Sequence, residues 1–197
     1  MELHGEIAPE APLIVVAVHE ESEPLKPLGL PMLITGAGKV NAAVATATML
    51  STVKPTEVVN LGTAGALVDG LSGTHQIGGV VQHDLDDEAL LALTGISFGP
   101  PISLGEGPIL ATGDVFVSDP QLRAVLARDA QLVDMEGYGI ARAAAAAGVP
   151  VRLIKTVSDS SDDAAARSWK DTVAECAEQL AEWARLHLVG EAAAQQA

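Results

Sequence analysis

The chain has 197 residues, 48% of them hydrophobic, which suits one domain with a sizeable buried core. Acidic residues outnumber basic ones 26 to 11, and the resulting net charge of −15 at pH 7 excludes nucleic acid and anionic membrane surfaces as partners. A single cysteine, Cys176, builds neither an intrachain disulfide nor a cysteine metal cluster, and no apolar run reaches the ~18 residues that would span a bilayer.

In chain order, residues 1–12 are acidic, lack a signal-peptide apolar core and read as a loose leader, so a cytoplasmic protein is expected. "LIVVAV" (13–18) and "PMLIT" (31–35) are continuous apolar runs, the pattern of strands buried on both faces. "KVNAAVATATMLSTV" (39–53) has helical length, and "EVVNLG" (57–62) is a strand ending in glycine. "QIGGVVQHD" (76–84) is a weaker strand broken by glycines, followed by a short helix over 86–95 and a strand over 107–113. Asp119-Pro120 opens a helix over 119–129. "AQLVDM" (130–135) is a strand, "EGYGIARAAAAAG" (136–148) a helix ended by Gly148, and "PVRLIKTVSD" (150–159) a strand. A long amphipathic helix covers 166–189, and residues 190–197 read as a loose tail. This alternation predicts an α/β three-layer sandwich in a single domain: a twisted, mostly parallel mixed sheet flanked by helices.

In such sheets ligands bind outside the carboxyl ends of the strands, and those ends collect the polar residues. "GAGKVN" (36–41) fails as a dinucleotide fingerprint, because Asn41 stands where the third glycine belongs, and fails as a P-loop, because Leu33 and Val40 occupy required Gly and Ser/Thr positions. The five histidines lack zinc-site spacing, and no G-x-S-x-G elbow is present. Neither a metal nor a cofactor is implied. Three carboxylates remain: Glu21, Glu136 and Asp159 each follow an apolar run at a predicted strand end, with Phe116 as the only aromatic beside them. A lone acidic residue there is ordinarily a helix cap or a solvated charge. Three together can hold a diol, activate water and protonate a leaving group, which suits cleavage of an N-glycosidic bond.

At these residues the sequence resembles the purine-nucleoside phosphorylase/nucleosidase superfamily, and most closely its hydrolytic branch, the 5′-methylthioadenosine/S-adenosylhomocysteine nucleosidases. The matching stretches are "AVHEESEPL" (17–25), "ITGAGKVNAA" (34–43), "VVNLGTAGAL" (58–67), "GDVFVSD" (113–119), "VDMEGYGIA" (133–141) and "VPVRLIKTVSD" (149–159), in family order. The resemblance implies a nucleoside phosphorylase-like fold, a small purine nucleoside as partner, and a homodimer. It implies that Glu136 takes the sugar hydroxyls while Met135 packs on the sugar. Asp159 protonates the purine at N7 and Ser158 orients it. Glu21 binds and activates the attacking water, Phe116 stacks on the base, and Val117 offers its backbone to the base edge. Thr63, Ala64 and Gly65 line the water and base side. "HEESEPL" puts carboxylates and no arginine on the nucleophile side, which favours water over phosphate. Futalosine hydrolysis, phosphorolysis and nucleoside binding without turnover are the alternatives. Three departures from the family pattern stand out: Lys155 replaces a usual arginine, the segment between 84 and 107 is short, and Tyr138 adds bulk after Glu136.

Overall fold

A computed structural model describes residues 1–162 and 165–189; the tail expected loose over 190–197 lies outside the described residues. Ten strands form one mixed sheet among them. Its centre is β4 (Val58–Ala66), paired in parallel with β2 (Leu13–Val16) and β10 (Val151–Asp159). β3 (Met32–Ile34) continues in parallel beyond β2. On the other flank β9 (Leu132–Asp134) meets the end of β4 antiparallel and leads in parallel to β8 (Ile109–Thr112) and β6 (Gly79–Gln82). Short strands β1 (Glu2–His4), β5 (Thr74–Gln76) and β7 (Ile102–Ser103) add antiparallel pairings to β3, β10 and β6.

The apolar runs divide their side chains by the two-residue period of a strand. Leu13, Val15, Leu33, Val58 and Leu153 face one layer, built from α2 (Lys39–Leu50) and α5 (Gly137–Ala147). Ile14, Val16, Met32, Val59, Leu61 and Ile154 face the other, where Leu180, Ala181 and Ala184 of α6 (Ala165–Ala184) cover them. Burial on both faces explains why these strands read as unbroken hydrophobic runs. A π-helical turn, Arg185–Val189, follows α6. Between β2 and β3 lie a four-residue helix, α1 (His19–Ser22), and a 3-10 segment, Glu23–Leu28. The helix α4 (Pro120–Leu126) carries its Asp119 cap as the sequence suggests, and α3 (Asp87–Thr94) is capped by Asp86.

The sequence expectations need correction in a few places. Residues 2–4 are an edge strand rather than loose leader, because their backbone extends the sheet beyond β3 without needing an apolar signature. The single strand expected over 76–84 is split into β5 and β6 at Ile77–Gly78, where Gly78 crosses Gly107 so closely that a Cβ would sit 2.5 Å from its carbonyl oxygen. β4 also runs on past Gly62 to Ala66.

α2 and α5 approach each other through Gly139, where a Cβ would lie 2.6 Å from the Lys39 carbonyl oxygen. Gly139→Ala is expected to lower the unfolding free energy by about 1–3 kcal/mol, as overpacking at a backbone contact does, measured by urea denaturation.

Candidate active site

A cavity of about 360 Å³ opens at the carboxyl ends of β2, β4, β9 and β10, and all ten residues assigned to the site from the sequence line it. Glu21 follows β2; Thr63, Ala64 and Gly65 lie in the second half of β4; Phe116 and Val117 follow β8; Met135 and Glu136 follow β9; Ser158 and Asp159 end β10. The cavity exists because β4 changes partner. β2 pairs with it as far as Asn60 and β9 takes over only at Gly65, so this edge of β4 is left open between them.

Glu21 fills the opening. Its Oε1 accepts from the Thr63 N–H (2.9 Å) and Thr63 hydroxyl (3.1 Å), and its Oε2 accepts from the Ala17 N–H (3.1 Å) just beyond β2. Those backbone donors would otherwise be orphaned where the ladder parts. The carboxylate is buried yet faces the cavity, with Oε2 keeping acceptor capacity for a further donor.

Glu136 stands at the N-terminus of α5 but does not cap it. Asp134 does so instead, accepting from the Gly137 N–H at 2.8 Å and from the Thr112 hydroxyl at 2.6 Å. Glu136 is therefore free to turn into the cavity, where Oε1 accepts from the Gly38 N–H at 2.9 Å. Gly38 holds a positive φ of 97° at the turn into α2, which aims its N–H at the carboxylate. Burial, and next the nearby Asp134 charge, push the Glu136 carboxyl up to about 7, while Lys155 and the Gly38 N–H pull it down.

Asp159 is half-buried at a β-bulge that interrupts the β10–β4 register between Val157 and Asp159. Oδ2 accepts from the Ser158 hydroxyl (2.8 Å) and Oδ1 from the Ser161 N–H (2.9 Å). Gly65 is required opposite, since a Cβ there would lie 3.0 Å from Asp159 Oδ1 and 2.1 Å from Ser161 Oγ.

Two features escape the sequence reading. The Lys155 ammonium, noted there only as a departure, is fully buried beneath the cavity and pairs with Asp134 at 2.8 Å. Burial alone would push its pKa down, but the charges of Asp134, Glu136 and Glu21 outweigh that and hold it above its ordinary value. Gly62 makes room: a Cβ there would sit 3.1 Å from Lys155 Nζ and 3.4 Å from Glu21 Oε1. The second feature is Trp169 on α6, which lines the cavity and donates its indole N–H to the Thr63 hydroxyl at 3.0 Å, so Phe116 is not the only aromatic at the site. Tyr138, by contrast, points its bulk elsewhere. It is buried, and its hydroxyl donates to the Pro100 carbonyl, tying the short 84–107 segment to α5.

Residues 79–188 match the family model described as the phosphorylase superfamily. A 5′-methylthioadenosine/S-adenosylhomocysteine nucleosidase of Bacillus subtilis is 33% identical over 159 residues, 65% of this chain and 67% of the relative. The chain belongs to the phosphorylase superfamily. The superfamily fold is equally plain in solved structures: a Helicobacter pylori 5′-methylthioadenosine/S-adenosylhomocysteine nucleosidase superposes with a TM-score of 0.81 at 23% identity, covering 93% of this chain and 99% of that one. Futalosine hydrolase of Helicobacter pylori superposes at 0.80 with 22% identity, covering 93% and 98%. Within this superfamily fold, the cluster of Glu21, Asp134, Glu136 and Lys155 sets three carboxylates around one buried ammonium.

This imbalance has a consequence for stability. Folded, Glu136 keeps its proton to about pH 7, whereas the unfolded carboxyl ionises near its ordinary 4.5. Between those values the folded state binds more protons, so the Glu136 contribution to stability falls as pH rises and is fully lost above about 7. Glu136→Gln, which carries no charge to desolvate, is expected to exceed the wild type in stability at pH 8 by about 2–4 kcal/mol, a gap that closes toward pH 5. Urea titrations of both proteins at the two pH values measure it; an unchanged gap would mean that Glu136 ionises freely in the folded protein.

Proposed function

We propose that this protein is a purine-nucleoside N-ribosidase, hydrolysing the N-glycosidic bond of 5′-methylthioadenosine- or S-adenosylhomocysteine-type nucleosides to free base and a ribose derivative. The observation that carries the reading is the convergence of Glu21, Glu136 and Asp159 on one cavity, each held in a different hydrogen-bonding environment. The nucleosidase name of the Bacillus subtilis relative supports the same reaction.

Glu136 receives the ribose hydroxyls, and Met135 packs against the sugar. A carboxylate accepting two O–H donors in a dry site binds strongly and favours positive charge developing on the ring. Phe116 stacks on the base and Val117 presents its backbone to the base edge, while Thr63, Ala64 and Gly65 form the facing wall. Asp159 delivers a proton to N7, so that the base departs neutral rather than as an anion, and Ser158 fixes the carboxyl's orientation. Glu21 orients a water through Oε2 and takes its proton as the oxygen attacks the anomeric carbon. The bond from sugar to base breaks, its electron pair leaves with the protonated base, and the hydroxyl stays on the sugar.

The nucleophile side is acidic, with Glu21 and Glu136 both facing the cavity, which disfavours a phosphate dianion there. The same reading extends to a single domain acting as a homodimer in the cytoplasm, in methionine salvage. Exposed Val40 and Val44 on α2 suit burial against a second copy. Futalosine hydrolysis is the second reading, favoured by the superposition on futalosine hydrolase.

Base release from methylthioadenosine, adenosylhomocysteine, adenosine, inosine and futalosine, each with and without phosphate, tests the assignment. Adenine release from the thio-nucleosides is expected at a rate indifferent to phosphate. Phosphate-dependent release would move the protein to the phosphorolytic branch, and release from futalosine alone would establish the second reading. Asp159→Asn is expected to lower kcat about 10²–10⁴-fold while nucleoside binding persists. Thermal stabilisation by nucleosides without any base release would mark a binding protein.

A further inference from the structure

Trp169 lies far in sequence from Glu21, yet its side chain is bonded into the environment of that carboxylate. The indole Nε1–H is a donor only, and it points at Thr63 Oγ1 at 3.0 Å. The same oxygen is 3.1 Å from Glu21 Oε1, and the Thr63 backbone N–H is 2.9 Å from that carboxylate oxygen. A hydroxyl has one proton. With an indole donor on its lone pair, Thr63 Oγ1 can complete the network only by directing its O–H at Glu21. Thr63 thus occupies Oε1 twice over, the Ala17 N–H occupies part of Oε2, and the remaining acceptor capacity of Glu21 is confined to one direction.

We infer that Trp169 is a positioning residue for Glu21, acting through the Thr63 hydroxyl rotor and joining α6 to the group that orients the attacking water. The inference rests on the water-activating role proposed for Glu21. A Phe or Leu at this position would line the cavity as well as Trp169 does, but neither carries the N–H that fixes the rotor.

Other charges act on Glu21. Lys155, Glu136 and, on α6, Cys176 are within its electrostatic reach. Lys170 and Asp159 line the same cavity. His19 and Glu20 share its helix, and Glu23 and Lys26 occupy the adjoining 3-10 segment. Any of these can shift a pH profile, so the test isolates the hydrogen-bonded path.

The chain has two tryptophans, and a Trp183→Phe variant leaves the indole N–H of Trp169 as a single NMR resonance. In the ligand-free protein at one fixed pH that resonance is expected to shift in Glu21→Gln, and to lose its dependence on Glu21 in Thr63→Val. In turnover, Trp169→Phe keeps a ring and removes the donor. It is expected to lower kcat about three- to tenfold, the size of one hydrogen bond, with KM changed less than about twofold. Trp169→Phe should add nothing in a Thr63→Val background. An indole resonance indifferent to Glu21→Gln overturns the inference. So does a Trp169→Phe variant that raises KM alone and adds independently to Thr63→Val. A wild type that releases no base but whose Trp169 resonance follows Glu21 would support the link while removing the reaction proposed for it.

Discussion

The site depends on one buried cation. Lys155 and Asp134 form an ion pair from which water is almost wholly excluded. Such a pair is weak as a net source of stability, because desolvating both charges offsets most of their attraction, but removing one partner leaves the other stranded at a cost of about 3–5 kcal/mol. Asp134 is bound into more than this pair. It also holds the Gly137 N–H at the start of α5 and the Thr112 hydroxyl at the end of β8. One carboxylate therefore joins three strands and a helix directly under the cavity. Because Asp134 does the capping, Glu136 is released from the helix end and can face a ligand.

The second constraint is the parting of strands along β4. A parallel sheet with continuous pairing offers a ligand little beyond its edge. Here β2 stops at the middle of β4 and β9 begins near its end, and the unpaired interval becomes a wall of the cavity. Glu21 restores the hydrogen bonds that the missing strand would have made, and in doing so becomes fixed at the wall. The glycines on β4 serve the same arrangement. Gly62 accommodates the ammonium of Lys155, and Gly65 accommodates Asp159 and Ser161. A side chain at either would press first on a polar group of the site, Lys155 Nζ at Gly62 and Ser161 Oγ at Gly65.

The strands buried on both faces are plain in the sequence, since "LIVV" and "MLI" have no polar face to expose. The helix ends at Asp119-Pro120 and Gly148 are plain for equally local reasons. The edge strands β1 and β7 are not, because they contribute backbone pairing without an apolar pattern. At the site, a carboxylate directly after an apolar run is conspicuous, and this brings Glu21, Glu136 and Asp159 to notice. Lys155 is not conspicuous in the same way. A lysine inside a strand ordinarily reaches solvent, and its burial follows from partners on other elements, Asp134 above all. Trp169 is hidden for a similar reason: its helical neighbours specify an amphipathic helix, but not that the indole reaches across to β4. Tyr138 shows the converse, since its proximity to Glu136 in sequence suggests a place in the cavity, whereas the helical turn sends it to Pro100.

The charge arrangement also bears on which nucleophile the site can hold. Glu21, Asp134 and Glu136 surround a single ammonium, and burial answers the imbalance by raising the Glu136 carboxyl to about 7 rather than by admitting a second cation. A group of this kind accommodates neutral donors readily: ribose hydroxyls and water each bring a proton to share with a carboxylate. A phosphate dianion would bring two further negative charges, and a single O–H among mostly acceptor oxygens, to a region already short of positive charge. Accepting it would require either more protons on the carboxylates, which would deprive Glu21 of the role as base proposed for it, or a second cation brought against Glu21, Asp134 and Glu136. With its ammonium already paired to Asp134, the cluster keeps an excess of carboxylate that favours water over phosphate, so packing and reaction preference at this site have a common electrostatic origin.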